Sequence, residues 1–350
     1  MIRIQDIVSL AAKRKASDIH LIAGLRIKCR IDGKIVDLAE NVLTKEDCEG
    51  LAREMAGDYF DRIKDIGELD CGGYIADERV RINLFRQQGA ISAAIRILSD
   101  KIPELDDLGL PQVVNTFPSF QKGIILVTGE TGSGKSTTLA AILDKINHTR
   151  NDHIITLEDP VEYVYKPDKC IINQREIGKD TESYQNGLKA ILREDPDVIL
   201  IGEMRDLETI ETALTAAETG HLVFATLHTN GAVSSIDRIV SVFPDSKQQQ
   251  IRLQLSGSLR AVLSQQLLPK SGGKGRVAAA EVMVMTTALQ NLIREGKTHQ
   301  MHSFMLSSME QGSITMDNCL IKLSNDGKIT TETAIEAAVD REYVKKKLTG

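Results

Sequence analysis

The segment Gly-Glu-Thr-Gly-Ser-Gly-Lys-Ser-Thr at 129–137 constrains this chain more than any other stretch. An apolar run at 124–127 leads into it, and an amphipathic run with helical spacing follows at 136–147. A buried strand that turns through glycines into a helix aims backbone N–H groups and the positive end of the helix at one point. That arrangement suits a phosphate. The spacing Gly129-x4-Gly134-Lys135-Ser136 is that of a phosphate-binding loop. It predicts that Gly129, Glu130, Thr131, Gly132, Ser133, Gly134, Lys135, Ser136 and Thr137 cradle a nucleotide. Lys135 reaches the β- and γ-phosphates, and Ser136 ligates Mg²⁺. Until it meets phosphate, Lys135 is expected to be solvated.

Beyond residue 123 short apolar runs alternate with amphipathic ones: 124–127 then 136–147, 154–157, 184–193 then 198–201, and 207–219 then 222–225. This predicts an α/β domain, a parallel sheet flanked by helices. Ligands of such sheets bind at the carboxyl ends of the strands. Run 154–157 leads into Glu158-Asp159-Pro160-Val161-Glu162, and run 198–201 into Gly202-Glu203. All three loops are thus expected to point at one place, with Glu203 holding Mg²⁺ or its waters. Glu158 or Glu162 is positioned to orient and deprotonate an attacking water. His221 and His228 bracket 222–227. Their odd separation sends the side chains to opposite strand faces and gives no zinc pair. His228 ends the strand beside the nucleotide, where it can sense the γ-phosphate. For His221, which begins the strand, a structural hydrogen-bonded role stands beside a catalytic one. After residue 246 the pattern is mostly helical, with a loop at Gly272-Gly273 and a strand over 277–284.

Residues 1–98 read as a small α+β domain. Ile2, Ile7, Leu10 and Ala11 have helical spacing, Ile27, Cys29 and Ile31 alternate, and Asp32-Gly33 forms a hairpin turn. Arg81 and Arg96 fall on two further apolar runs, where a half-exposed surface position accounts for either. Residues 99–122, with Pro103, Gly109, Pro111 and Pro118, read as a linker containing one short helix. Residues 123–350 form the third segment. The five cysteines lie no closer than 19 residues apart, which points to reduced thiols and to neither a disulfide framework nor a zinc site. A net charge of −6 argues against nucleic acid as a partner. No apolar run approaches a membrane span or a signal peptide, so the expected location is cytoplasmic.

Four motifs in order, GETGSGKST at 129–137, ITLEDPVEY at 155–163, LREDPDVILIGEMRD at 192–206 and TAAETGHLVFATLHTN at 215–230, resemble the secretion-ATPase superfamily. They match its Walker A, Asp box, Walker B and His box. NLIREGKTHQ at 291–300, Thr315-Met316-Asp317, Ser17-Asp18-Ile19-His20-Leu21 and Arg81-x-Asn83-x-Phe85 narrow the resemblance to the type IV pilus retraction ATPases, the PilT family. The resemblance implies a PAS-like N-terminal domain, a RecA-like P-loop ATPase domain and a homo-hexamer. It also implies Glu162 as the catalytic carboxylate, Glu203 at the metal, arginines matching Arg81 and Arg96 on nucleotide phosphates, and functional roles for both His221 and His228. The implied work is ATP-driven pilus retraction and twitching motility, at the inner face of the cytoplasmic membrane. The implied partners are an inner-membrane pilus platform protein and another pilus ATPase.

The match departs at Ala288-Leu289-Gln290, where the family motif has arginine at the position of Gln290. Residues 288–295 read as an amphipathic helix with Leu289, Leu292 and Ile293 toward the core and Gln290 paired with Arg294 outside. Two alternatives compete. A pilus-assembly or type II secretion ATPase is expected to add an N-terminal domain and a four-cysteine zinc element. A nucleotide-dependent switch or DNA translocase would part from the motor reading in an ATPase assay with and without DNA.

Overall fold

The computed structural model describes residues 3–349 except Asp32, Ser99, Asp100 and the side chain of Lys64. Ile2 of the predicted first helix and Asp32 of the predicted hairpin turn lie outside the described residues. The chain divides into two compact units, residues Met1–Lys101 with Pro160–Val164, and Ile102–Asp159 with Tyr165–Gly350.

The first unit is built on six antiparallel strands: β1 (Asp18–Leu21), β2 (Arg26–Ile31), β3 (Lys34–Val42), β4 (Glu68–Ile75), β5 (Glu78–Gln87) and β6 (Ala90–Ile97). Their order is β3-β2-β1-β6-β5-β4. Gly33, with φ 80°, supplies the left-handed residue between β2 and β3. One sheet face packs on helices Ile4–Lys13, Lys45–Ala56 and Phe60–Ile66 around Ile7, Ile19, Leu51, Ile63 and Leu84. Thr44 and Asp47 start the second of these helices with a reciprocal capping box.

The second unit carries the predicted parallel sheet. Its strands are β7 (Gly123–Thr128), β8 (His153–Glu158), β9 (Ile171–Glu176), β10 (Val198–Ile201), β11 (Leu222–Leu227), β12 (Leu259–Pro269) and β13 (Arg276–Val284). The order is β13-β12-β7-β11-β10-β8-β9, parallel except for the β12/β13 pair. Strands β7, β10 and β11 are buried along their whole length, which explains why they read as unbroken apolar runs.

Two strands of the second unit depart from the sequence reading. Helix Asp245–Ser258 runs straight into β12, an eleven-residue strand within the stretch expected to be mostly helical. Buried on both sides, β12 lacks the alternation that marks a half-exposed strand. Edge strand β9, Ile-Ile-Asn-Gln-Arg-Glu, is too polar to stand out. The expected single linker helix is instead two 3₁₀ segments, Leu105–Leu108 and Gln112–Ser119. Helices Met316–Asn325, Thr331–Ala337 and Arg341–Thr349 close a smaller core around Leu320, Ala334 and Val344. No helix among the described residues is long and apolar enough to cross a membrane.

Candidate active site

The loop after β7 takes positive φ at Gly129, Gly132 and Gly134 (136°, 82° and 93°) before helix Lys135–Thr149 begins. Space as well as backbone demands glycine here. A Cβ on Gly129 would sit 2.3 Å from the Gln265 carbonyl oxygen, and one on Gly134 would sit 3.0 Å from Gln265 Nε2. Gln265 is therefore the wall behind the loop, and its Nε2 donates to Ser133 O at 2.8 Å.

Lys135 is not solvated as expected. It is 9% exposed, and Nζ donates to Gly129 O at 2.7 Å and Glu130 O at 2.9 Å. The loop's own carbonyls hold the ammonium at the phosphate position, so little side-chain entropy remains to be lost on binding. Glu130 accepts from Asn230 Nδ2 at 2.9 Å, tying the tip of the loop to the chain leaving β11. Beside Gly134, Thr137 and Thr138 lies a cavity of about 720 Å³ with Leu108, Leu267 and several basic residues on its walls.

The carboxyl ends of β11, β10 and β8 line up next to this loop. Glu203 follows β10 and is 18% exposed. It pairs with Arg205 at 2.6 Å and with His228 Nε2, at the end of β11, at 3.3 Å. Burial opposes its ionisation, but the Arg205 guanidinium and then His228 outweigh it and hold the carboxyl below the usual carboxylate range. Glu158, the last residue of β8, accepts from Thr156 Oγ1 at 2.6 Å and Gln174 Nε2 at 3.5 Å.

His221 sits at the opposite end of β11 from His228, about 20 Å away by strand rise. There its Nδ1 lies 2.9 Å from Ala216 O and 3.3 Å from Thr219 Oγ1. Glu162 belongs to segment Pro160–Val164, which packs with the first unit, where Arg79 donates to Val161 O at 2.6 Å. The second half of the Asp box thus groups with the first unit, while Glu158 ends a strand of the second. In the first unit Arg81 and Arg96 are direct cross-strand partners on β5 and β6. Asp70 pairs with Arg81 at 2.7 Å and Asp18 with Arg96 at 3.0 Å, easing the repulsion of two adjacent cations.

Helix Thr287–Glu295 buries Leu289, Leu292 and Ile293 as predicted, but Arg294 does not pair with Gln290. Its Nε donates to Ser256 Oγ at 3.0 Å and its NH1 to Asn291 Oδ1 at 2.9 Å, because the neighbouring helix Asp245–Ser258 offers a nearer acceptor. Sequence reasoning assigned no role to Gln265, Asn230, Arg205 or Tyr184. The polar pair Gln265-Gln266 inside an otherwise apolar run was the available signal for the first.

This glycine loop on a parallel sheet, with an ionised carboxylate two strands away, defines a RecA-like P-loop nucleotide-binding ATPase. The family model described as "Type II/IV secretion system protein" matches residues 77–334. The chain is 44% identical over 337 residues to the type IV pilus retraction ATPase PilT of Pseudomonas aeruginosa, covering 96% of this chain and 98% of that one. It is 48% identical over 264 residues to a twitching motility protein of Neisseria gonorrhoeae, covering 75% and 71%. The crystal structure of the pilus retraction motor PilT with bound ADP superposes with a TM-score of 0.93 at 48% identity, covering 99% of this chain and all of that one. The chain belongs to the type II/IV secretion ATPases, in their pilus-retraction family.

Proposed function

We propose that this chain is an ATP-hydrolysing motor that works as a homo-hexamer and powers type IV pilus retraction. The observation that carries the reading is Lys135 fixed by Gly129 O and Glu130 O at the loop that opens helix Lys135–Thr149. The names of the relatives support the retraction role. In this reading residues 129–137 bind the triphosphate, with backbone N–H groups and Lys135 matching its charge. Ser136, exposed at the helix start, and the ionised Glu203 fit a Mg²⁺ ion, which takes one or two protein oxygens and completes its shell with water and phosphate. Bound there, the ion neutralises charge on the phosphates. Glu162 takes the proton of the attacking water, with Glu158 as the alternative base. Arg81 and Arg96 stabilise developing charge, and His228 fixes Glu203. His221 acts from the other end of β11. The motor works in the cytoplasm at the inner face of the membrane, on an inner-membrane pilus platform protein and beside another pilus ATPase. It needs no nucleic acid.

The test pairs one variant with one strain. Lys135→Ala should bind nucleotide poorly and lose turnover, while losing only about 1–3 kcal/mol of stability as two loop carbonyls forfeit their donor. Wild-type turnover in that variant would overturn the ATPase reading. Cells lacking the protein should carry excess pili that do not retract. A deletion strain that still twitches would overturn the retraction reading alone.

A further inference from the structure

Helix Tyr184–Ile191 packs directly against the acidic edge of the sheet. Ser183 caps it by accepting from Asn186 N, and Leu188 and Ile191 anchor it in the core. Gly187 permits the approach, since a Cβ there would meet Leu157 Cδ1 at 2.7 Å. Gln185 Nε2 donates to Asp206 Oδ1 at 3.3 Å and ties the first turn to the segment after Glu203.

This docking delivers the Tyr184 hydroxyl to a defined place. Its oxygen lies 2.8 Å from where a Cβ on Gly202 would stand, and Glu158 Cα lies 3.3 Å from the same point. The hydroxyl thus sits between the end of β8 and Glu203, and it makes no hydrogen bond among the described residues. Burial first, and then the carboxylates of Asp159, Glu158 and Glu203, push the phenol well above its ordinary value, so it remains a neutral O–H.

The carboxylates of this edge lack what such a group supplies. A water attacking phosphorus gives a proton to a carboxylate and points one lone pair at the phosphorus. Its second lone pair needs a donor to fix its orientation. Glu158, Asp159 and Glu203 are acceptors when ionised, so none of these carboxylates supplies that donor. We propose that the Tyr184 hydroxyl positions the attacking water by donating to its second lone pair. The phenol keeps its proton throughout, and a glycine is required at 202 to leave room for the hydroxyl. This inference rests on the proposed hydrolysis of ATP.

Tyr184→Phe in the full chain removes the donor and keeps the ring. Its kcat for ATP should fall about tenfold, the effect of one lost hydrogen bond to the reacting water, with KM, ADP affinity and Tm unchanged. Gly202→Ala should impair turnover by crowding the hydroxyl, and adding Tyr184→Phe should restore part of its thermal stability. A Tyr184→Phe enzyme with wild-type kcat overturns the assignment. So does a loss of kcat matched by equal losses of ADP affinity and Tm, which would mark a packing role. An inactive wild-type chain would remove the ATPase reading and this inference with it. An active wild type beside an equally active Tyr184→Phe removes this inference alone.

Discussion

Glu281 offers the sharpest test of how the loop leaving β11 is held. It lies on β13 opposite Ser264 of β12 and is 6% exposed. Ser264 Oγ accepts from Gly231 N at 2.9 Å, and Glu281 Oε1 accepts from Ala232 N at 2.6 Å. Two cross-strand partners therefore cap consecutive N–H groups of helix Ala232–Ser241, which has no side-chain cap of its own. Glu281 Oε2 also accepts from Met316 N at 3.3 Å, so one carboxylate meets the positive ends of two helices. Glu281→Gln keeps one acceptor oxygen and turns an NH₂ toward the other N–H. With hydrogen bonds to buried charge worth about 1.5–3 kcal/mol each, and an orphaned donor added, the loss should be about 2–4 kcal/mol. In a unit of this size that is roughly 4–16 °C in Tm. Glu281→Ala should cost more, since both N–H groups lose their acceptor. Differential scanning calorimetry of the three proteins decides the matter. A shift under about 2 °C for Glu281→Gln would refute the capping argument.

Glu162→Gln should still bind ATP but turn it over at least about 100-fold more slowly, the scale of general-base catalysis. Unimpaired turnover would shift the base role to Glu158. Glu203→Gln should show a defect that eases at high Mg²⁺, and a defect indifferent to Mg²⁺ would remove Glu203 from the metal. Arg294→Ala loses its bonds to Ser256 and Asn291 but touches nothing at the phosphate loop. ATP turnover and hexamer formation should survive while twitching is lost; if all three survive, helix Thr287–Glu295 is scaffold. His148 hydrogen-bonds Asp168 at 2.8 Å and pairs with Asp144 at 3.4 Å, and these carboxylates, Asp168 first, raise its pKa against the opposing effect of burial. A raised folded value means that the contribution to stability is complete below about pH 6.5 and is lost as pH rises through the folded value. An NMR titration should place the His148 midpoint above about 6.5 and show it falling in Asp168→Asn, and a midpoint at or below 6.5 in the wild type would contradict the pairing.

The parallel sheet and its phosphate loop were legible because their determinants are local. Strands β7, β10 and β11 are short apolar runs, and the glycines that turn the loop stand at fixed spacing after one of them. The support of the loop was not legible. Gln265 is 132 residues from the Ser133 carbonyl it holds, and it is addressed only through the pairing of β12 with β7. No pattern along the chain encodes that neighbour. The burial of Lys135 was missed for a related reason. A lysine beside glycines reads as solvated, yet the carbonyls of Gly129 and Glu130 fold back to receive its ammonium. Arg294 repeats the lesson on a helix surface. Its i, i+4 neighbour was visible in the sequence, but Ser256 on another helix was not, and a short bond to a fixed acceptor displaces the exposed pair.

The split of the Asp box follows from the same physics. Strand β8 must end at Glu158, because the Pro160 that follows Asp159 has no N–H to continue a ladder. The next residues instead contribute a carbonyl at Val161 to Arg79, itself 8% exposed. Leaving that guanidinium without the carbonyl would cost more than an ordinary neutral hydrogen bond. The local backbone around Glu162 is thus held by the unit that carries Arg81 and Arg96, whereas Glu158 stays on the sheet that carries Lys135 and Glu203. Two carboxylates four residues apart, equivalent in the sequence, are therefore held by different bodies. The Glu162→Gln and Glu158→Gln variants consequently test more than the identity of a base. If Glu162 is the base, turnover should respond to substitutions at Arg79 that loosen Val161, and Arg79→Ala should lower kcat while nucleotide affinity at residues 129–137 is kept. If Glu158 is the base, Arg79→Ala should leave kcat unchanged, because Glu158 ends β8 and accepts from Thr156 and Gln174 of the same sheet.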